Sequence, residues 1–131
     1  MPVFVDTSAV LAFLSPTDSN HSLARAAFER LRAQEASLVV TSYMLLETYT
    51  ILDRRFGREA ARKFREQFVP LFDVVWVNAE LHERGLDLLF QKPHSISLVD
   101  AVSFVSCRER GIDTAWAFDR HFEDEGLKSS V

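Results

Sequence analysis

Short apolar runs alternate along this chain with longer stretches in which apolar positions recur every three or four residues. Residues 1–5 read as a buried strand, and residues 7–14 as a short helix closed by Ser15 and Pro16. Asp18, Ser19 and Asn20 offer capping oxygens to a second helix over 21–34, with Leu23, Ala27 and Leu31 on one face. Residues 38–41 form a β-branched strand. Ser42 then caps a third helix whose Leu45, Tyr49, Leu52 and Phe56 share a face. Gly57 breaks that helix, and a basic helix follows to Phe68, before Pro70. Residues 74–77 predict a third strand, and Asn78 caps a helix carrying Leu81, Leu88 and Leu89. Lys92, Pro93, His94 and Ser95 mark a loop. Ser97 caps the next helix, which runs to Gly111, a suitable residue for a left-handed C-terminal cap. Residues 112–118 predict a fourth strand, and 120–125 a last helical turn. Strands alternating with helices in one short chain imply an α/β sandwich around a mainly parallel sheet of four to five strands.

A chain of 131 residues is expected to make one domain over 1–131, large enough to bury a core without covalent staples. No apolar run is long enough to span a bilayer, and no signal-peptide pattern opens the chain. The single cysteine, Cys107, excludes an internal disulfide and fits a reducing compartment, so a cytoplasmic protein with a packed thiol is expected. The net charge of −4 argues against a protein that coats nucleic acid, yet the charge is uneven. Arg54, Arg55, Arg58, Arg62, Lys63 and Arg65 crowd one segment against Asp53, Glu59 and Glu66. That segment is either a solvated face with pairs such as Glu59–Lys63 and Arg62–Glu66, or a phosphate-facing surface led by Arg54, Arg58 and Arg62.

The acidic residues change the picture more. Asp6, Glu47, Asp100 and Asp119 each have apolar neighbours, where an unpaired carboxylate is costly. In an open parallel sheet, sites form beyond the carboxyl ends of the strands. Asp6 and Asp119 stand at two such ends, and Glu47 lies one to two turns into the helix after the second strand. Asp100 joins them if its helix starts at that edge. Carboxylates within about 4 Å repel by roughly 4 kcal/mol per pair, and a hard divalent ion such as Mg²⁺ or Mn²⁺ relieves that repulsion. Such an ion can activate water and polarise a phosphoryl oxygen, so the chemistry indicated is metal-dependent phosphodiester hydrolysis. Each residue also has a purely structural role open to it. Asp6 and Asp119 can cap helices, Asp100 can close a capping box with Ser97, and Glu47 can pair with a basic residue. One edge collecting all four favours the shared site.

The segments Val5-Asp6-Thr7-Ser8, Ser42 through Glu47, Ser97-Leu98-Val99-Asp100-Ala101 and Ala117-Phe118-Asp119-Arg120-His121-Phe122 together resemble the PIN domain, most closely the VapC-type toxins of prokaryotic toxin–antitoxin pairs. The resemblance implies a PIN-like α/β/α sandwich and a metal-dependent endoribonuclease with Asp6, Glu47, Asp100 and Asp119 as its acidic site. It further implies Mg²⁺ or Mn²⁺, an RNA substrate, a homodimer and a cognate small antitoxin. Family hydroxyls near the metal water map onto Thr7 or Ser8 and onto Ser97. One departure is Ala117, where the family often carries Thr or Ser, which puts water positioning by a hydroxyl there in doubt.

Among the other candidates, His121 can ligand a transition metal but reads first as a surface or packing residue, and Asp124 reads as part of a solvated face. His21, His82 and His94 lack ligand spacing. Trp76 and Trp116 read as core. A haloacid-dehalogenase-like phosphatase would want a second Asp where Ser8 stands. The remaining alternative is a weak or inactive PIN-like module that only binds RNA or a partner protein.

Overall fold

The computed structural model describes residues 1–92 and 95–131, so Pro93 and His94 of the expected loop lie outside the described residues. Five strands, β1 (Pro2–Val5), β2 (Ser37–Thr41), β3 (Phe72–Val75), β4 (Thr114–Trp116) and β5 (Lys128–Ser129), form one sheet in the order β3-β2-β1-β4-β5. Every pairing in it is parallel. Helices α1 (Thr7–Leu14), α2 (His21–Ala33), α3 (Ser42–Phe56) and α4 (Arg58–Lys63) come first. Helices α5 (Ala79–Gln91), α6 (Leu98–Arg110) and α7 (Arg120–Asp124) follow β3.

Side chains alternate across a strand, and this sheet is covered on both faces. Val3, Val5, Leu38, Val40 and Trp116 join a core with residues of α1, α2 and α3. Phe4, Val39 and Ala115 instead join residues of α5, α6 and α7. The central strand is therefore apolar at every buried position, with Val3, Phe4 and Val5 fully enclosed. This is the expected α/β/α sandwich.

Strand order decides where a site can form. From β1 the chain builds outward to β2 and β3, then returns to place β4 on the other side of β1. The connections diverge between β1 and β4, and the crevice opens at their carboxyl ends. The Asp6 amide donates to the Trp116 carbonyl (3.1 Å), tying the two strand ends together at that point.

Several local expectations shift. Thr41 caps α3 by accepting from the Met44 amide (3.0 Å), while Ser42 accepts from the Val77 amide (2.9 Å). Strand β3 starts and ends two residues early because its ladder stops at the Thr41–Val75 pair. Trp76 consequently falls outside the sheet and is 73% exposed, whereas Trp116 is fully buried. Strand β4 covers only the middle of the apolar run. Leu23 and Phe56 are exposed, since α2 turns Ala24, Ala27 and Leu31 inward and α3 ends in solvent. The basic helix stops at Lys63 and continues as one wider π turn, Phe64–Phe68, which brings Phe64 and Phe68 both into the core. Cys107 is a packed thiol, its pKa pushed up to about 12 by burial.

Helix α6 ends at Gly111 in the left-handed region (φ 66°), as its position after the last helical residue predicts. Gly85 has a different reason to be glycine. A Cβ added there would collide with Val102 Cγ2 on α6. Valine cannot swing that methyl aside without leaving its preferred rotamer. Gly85→Ala is therefore expected to destabilise the fold by about 1–3 kcal/mol, measured by denaturant unfolding, by prising α5 from α6.

Candidate metal centre

Asp6 caps α1 directly after β1. Its Oδ2 accepts from the Ser8 amide (3.1 Å) and the Ser8 hydroxyl (2.6 Å). Ser8 Oγ in turn accepts from the Phe118 amide (2.9 Å), so one serine links the first carboxylate to the segment that carries Asp119. Asp119 caps α7 by accepting from the His121 amide (3.0 Å). Asp100 lies in the first turn of α6, within a capping box. Its Oδ2 accepts from the Ser97 amide and its own amide donates to Ser97 Oγ, both at 3.1 Å. Glu47 is half-buried on α3, beside Thr48. The buried Thr48 hydroxyl donates to the Met44 carbonyl (2.9 Å) and meets Thr7 Oγ1 at 2.9 Å, pinning α3 to α1. The structural roles anticipated for Asp6, Asp100 and Asp119 are all present, and the same bonds aim the carboxylates at one place.

The electrostatics show the convergence. Asp6 is 5% exposed, and its pKa is raised to about 6, first by burial and further by repulsion from Asp100 and Glu47, against the two Ser8 bonds. Burial also raises Glu47, opposed by Thr7 and reinforced by Asp100 and Asp119. Asp100 is raised by burial and by Asp119, opposed by its Ser97 bonds and by His121. The Asp100 side chain is 13% exposed and that of Asp119 33%, so the cluster runs from a closed floor at Asp6 to an open mouth at Asp119. No salt bridge between these four carboxylates and Lys or Arg occurs among the described residues. Like charges gathered from a buried floor to an open mouth, without a Lys or Arg partner among the described residues, suit a divalent ion with oxygen preference. The donor set fits Mg²⁺ or Mn²⁺.

His121 lies beside two of these carboxylates. Its Nδ1 stands 2.9 Å from Asp119 Oδ1 and 3.9 Å from Asp100 Oδ2. Asp100, Asp119 and His121 offer donor atoms all within 4.8 Å of one another. The signal was the two-residue spacing after a helix-capping aspartate, which curls the carboxylate back over the first turn. Other expected residues stand apart from the cluster. Arg58 is clamped by Asp53 (2.7 and 3.3 Å), and Arg62 approaches Glu59 at 3.8 Å, in place of the anticipated Glu59–Lys63 and Arg62–Glu66 pairs. Arg54 has no ion pair among the described residues and lies two turns beyond Glu47 on α3. Ala117 is buried and brings no hydroxyl to the site.

Residues 3–126 match the family model of the PIN domain. The chain is 36% identical over 128 residues to the 23S rRNA-specific endonuclease VapC20 of Mycobacterium tuberculosis, covering 95% of each protein. It superposes on the crystal structure of that VapC20, a sarcin–ricin loop cleaving toxin, with a TM-score of 0.82 over 95% of each chain at 34% identity. VapBC2 from Rickettsia felis, solved with a DNA fragment of its promoter, shares the fold at a TM-score of 0.72 and 15% identity, over 98% of this chain and 97% of that one. The chain therefore belongs to the PIN domain family and is a homologue of the VapC toxin endonucleases.

Proposed function

We propose that this protein is the toxin of a VapBC-type pair, a metal-dependent endoribonuclease that hydrolyses RNA phosphodiester bonds. The observation that carries the reading is the convergence of Asp6, Glu47, Asp100 and Asp119 at the sheet's switch point with no Lys or Arg ion pair to balance them among the described residues. Asp6, Asp100 and Asp119 would hold Mg²⁺ or Mn²⁺, directly or through water, with Glu47 as a further ligand or as the group that orients the attacking water. The ion, when bound, polarises the phosphoryl oxygen and acidifies water. Ser8 and Ser97 hold the carboxylates in place, and Thr7 holds α3 against α1. A module that only binds RNA gains nothing from clustered negative charge facing phosphate, which argues against the inactive alternative.

The substrate proposed is large-subunit ribosomal RNA, cut in an exposed loop, because the VapC20 likeness extends over almost the whole chain. Unpaired loops also present bases that a protein can read. A homodimer and a small antitoxin complete the proposal. Leu46, Phe56, Trp76 and Phe90 are large exposed apolar side chains that supply surface for such partners. No described helix is long and apolar enough to cross a membrane.

The test is to incubate the purified chain with total bacterial RNA and Mg²⁺ or Mn²⁺, then map new 5′ ends by primer extension. A discrete cut in 23S rRNA is expected. A folded chain that leaves all RNA intact under both metals would overturn the reading. Phosphate contact is tested separately. Arg54→Glu is expected to weaken RNA binding more than Arg62→Glu, since Arg54 has no ion pair among the described residues and shares the Glu47 stripe of α3. The salt dependence should lose about 0.7 in slope for each phosphate contact removed, as read from filter binding across salt concentrations.

A further inference from the structure

We infer that His121 is a nitrogen ligand of the same cation site, so that the centre prefers a transition ion such as Mn²⁺ over Mg²⁺. The inference rests on reading the acidic cluster as a cation site. Three observations on this chain carry it.

The first is geometric. Two donors about 2.0–2.1 Å from one octahedral ion lie roughly 2.9 Å apart when adjacent and 4.1 Å apart when opposite. The 2.9 Å and 3.9 Å separations of His121 Nδ1 from Asp119 and Asp100 fall within that range. The second is that Nδ1 is buried and makes no aligned hydrogen bond among the described residues. Asp119 Oδ1, the nearest acceptor, already takes the His121 backbone amide. A buried ring nitrogen without a bond loses its hydration for nothing unless a ligand completes it. The third is that the backbone fixes the approach. Asp119 as N-cap and His121 in the first turn of α7 keep ring and carboxylate on the same side of the helix end.

Imidazole nitrogen is a poor donor to Mg²⁺, which demands oxygen, and a good one to first-row transition ions. The ring would therefore add little to Mg²⁺ binding and more to Mn²⁺ binding, the increment growing along the series toward Fe²⁺ and Zn²⁺. Its place at the open side of the site, near Asp119, leaves the Asp6 floor purely oxygen-lined.

The test uses the full chain and Mn²⁺ itself. Calorimetric titration with Mn²⁺ and with Mg²⁺ is run on the wild type, His121→Ala and His121→Asn, and pulsed EPR of the Mn²⁺-loaded proteins looks for ¹⁴N modulation. The expected result is ¹⁴N coupling in the wild type that His121→Ala abolishes. Mn²⁺ affinity should fall about 10–100-fold in His121→Ala, taking the effect of losing a supporting residue as the lower scale, with Mg²⁺ affinity held within about threefold. Mn²⁺ binding without ¹⁴N modulation in the wild type would overturn this inference and leave the acidic centre standing. So would an equal loss of both affinities in folded His121→Ala. A wild type that binds neither ion would overturn the metal centre as well. Far-UV circular dichroism of each variant separates loss of binding from loss of fold.

Discussion

Asp6→Asn is expected to abolish RNA cleavage while making the ion-free protein more stable. The two effects have one source. At pH 7 the native state holds the Asp6 carboxylate ionised, though its pKa has been raised from 3.8 to about 6. A shift of that size disfavours the ionised native state by on the order of 3 kcal/mol. Between pH 4 and 6 the native chain binds the proton that the unfolded chain has released, so stability rises as pH falls through this window. Above pH 6 the penalty is fully in force, and below about pH 4 it is gone. Glu47 and Asp100 are shifted in the same direction and add to the trend.

Asparagine keeps an oxygen to cap α1 at the Ser8 amide but carries no charge. Thermal melts in EDTA should therefore show Asp6→Asn above the wild type by about 5–10 °C at pH 7, with the gap closing toward pH 5. Cleavage should fall at least about 10²–10³-fold, the scale for removing one group that stabilises developing charge. A variant that lost activity and stability together would indicate that Asp6 is only a helix cap.

Trp116→Ala is expected to give the largest loss of stability, about 3–5 kcal/mol, lowering the melting temperature by roughly 10–20 °C. Trp116 is fully buried, and its ring meets Phe28 at 5.5 Å and Phe13 at 6.1 Å between centroids. It also belongs to the strand whose carbonyl receives the Asp6 amide, so the cavity opens directly beneath the site. Trp116→Phe should cost much less, for a reason beyond shape. The indole Nε1 is buried with no partner among the described residues, and phenylalanine removes that unmet donor. Chemical denaturation of the two variants side by side checks both values.

The contrast between Trp116 and Trp76 shows what could be read from the chain. Both tryptophans sit in apolar runs, and periodicity assigns both to strands. Which residues of a run enter the ladder is decided by a partner strand far away in sequence. Here β2 supplies register only to Val75, and Ser42 takes the next amide but one, from Val77. Strand β5 was invisible for the same reason. Lys128 and Ser129 have no pattern, and the strand exists because Lys128 and Ser130 donate to Asp113 and Ala115.

The acidic residues were easier to find because local rules place them. A strand end, a helix cap or the first turns of a helix fixes which way each points, and a parallel sheet gathers strand ends at one edge. Ser8 bridging Asp6 to Phe118 could not be foreseen, since its two ends lie 110 residues apart. The approach of His121 to Asp119 is not legible in the sequence, because it depends on how tightly Asp119 curls over α7.

The central claim, that a divalent ion held by these carboxylates drives RNA hydrolysis, is tested most directly on purified large-subunit ribosomal RNA. Cleavage is followed with Mg²⁺, with Mn²⁺, with EDTA, and with EDTA followed by excess Mn²⁺. A single cut is expected with either ion, none in EDTA, and recovery when Mn²⁺ is restored. Cleavage that persists in EDTA, or in Asp6→Asn at the wild-type rate, would contradict it.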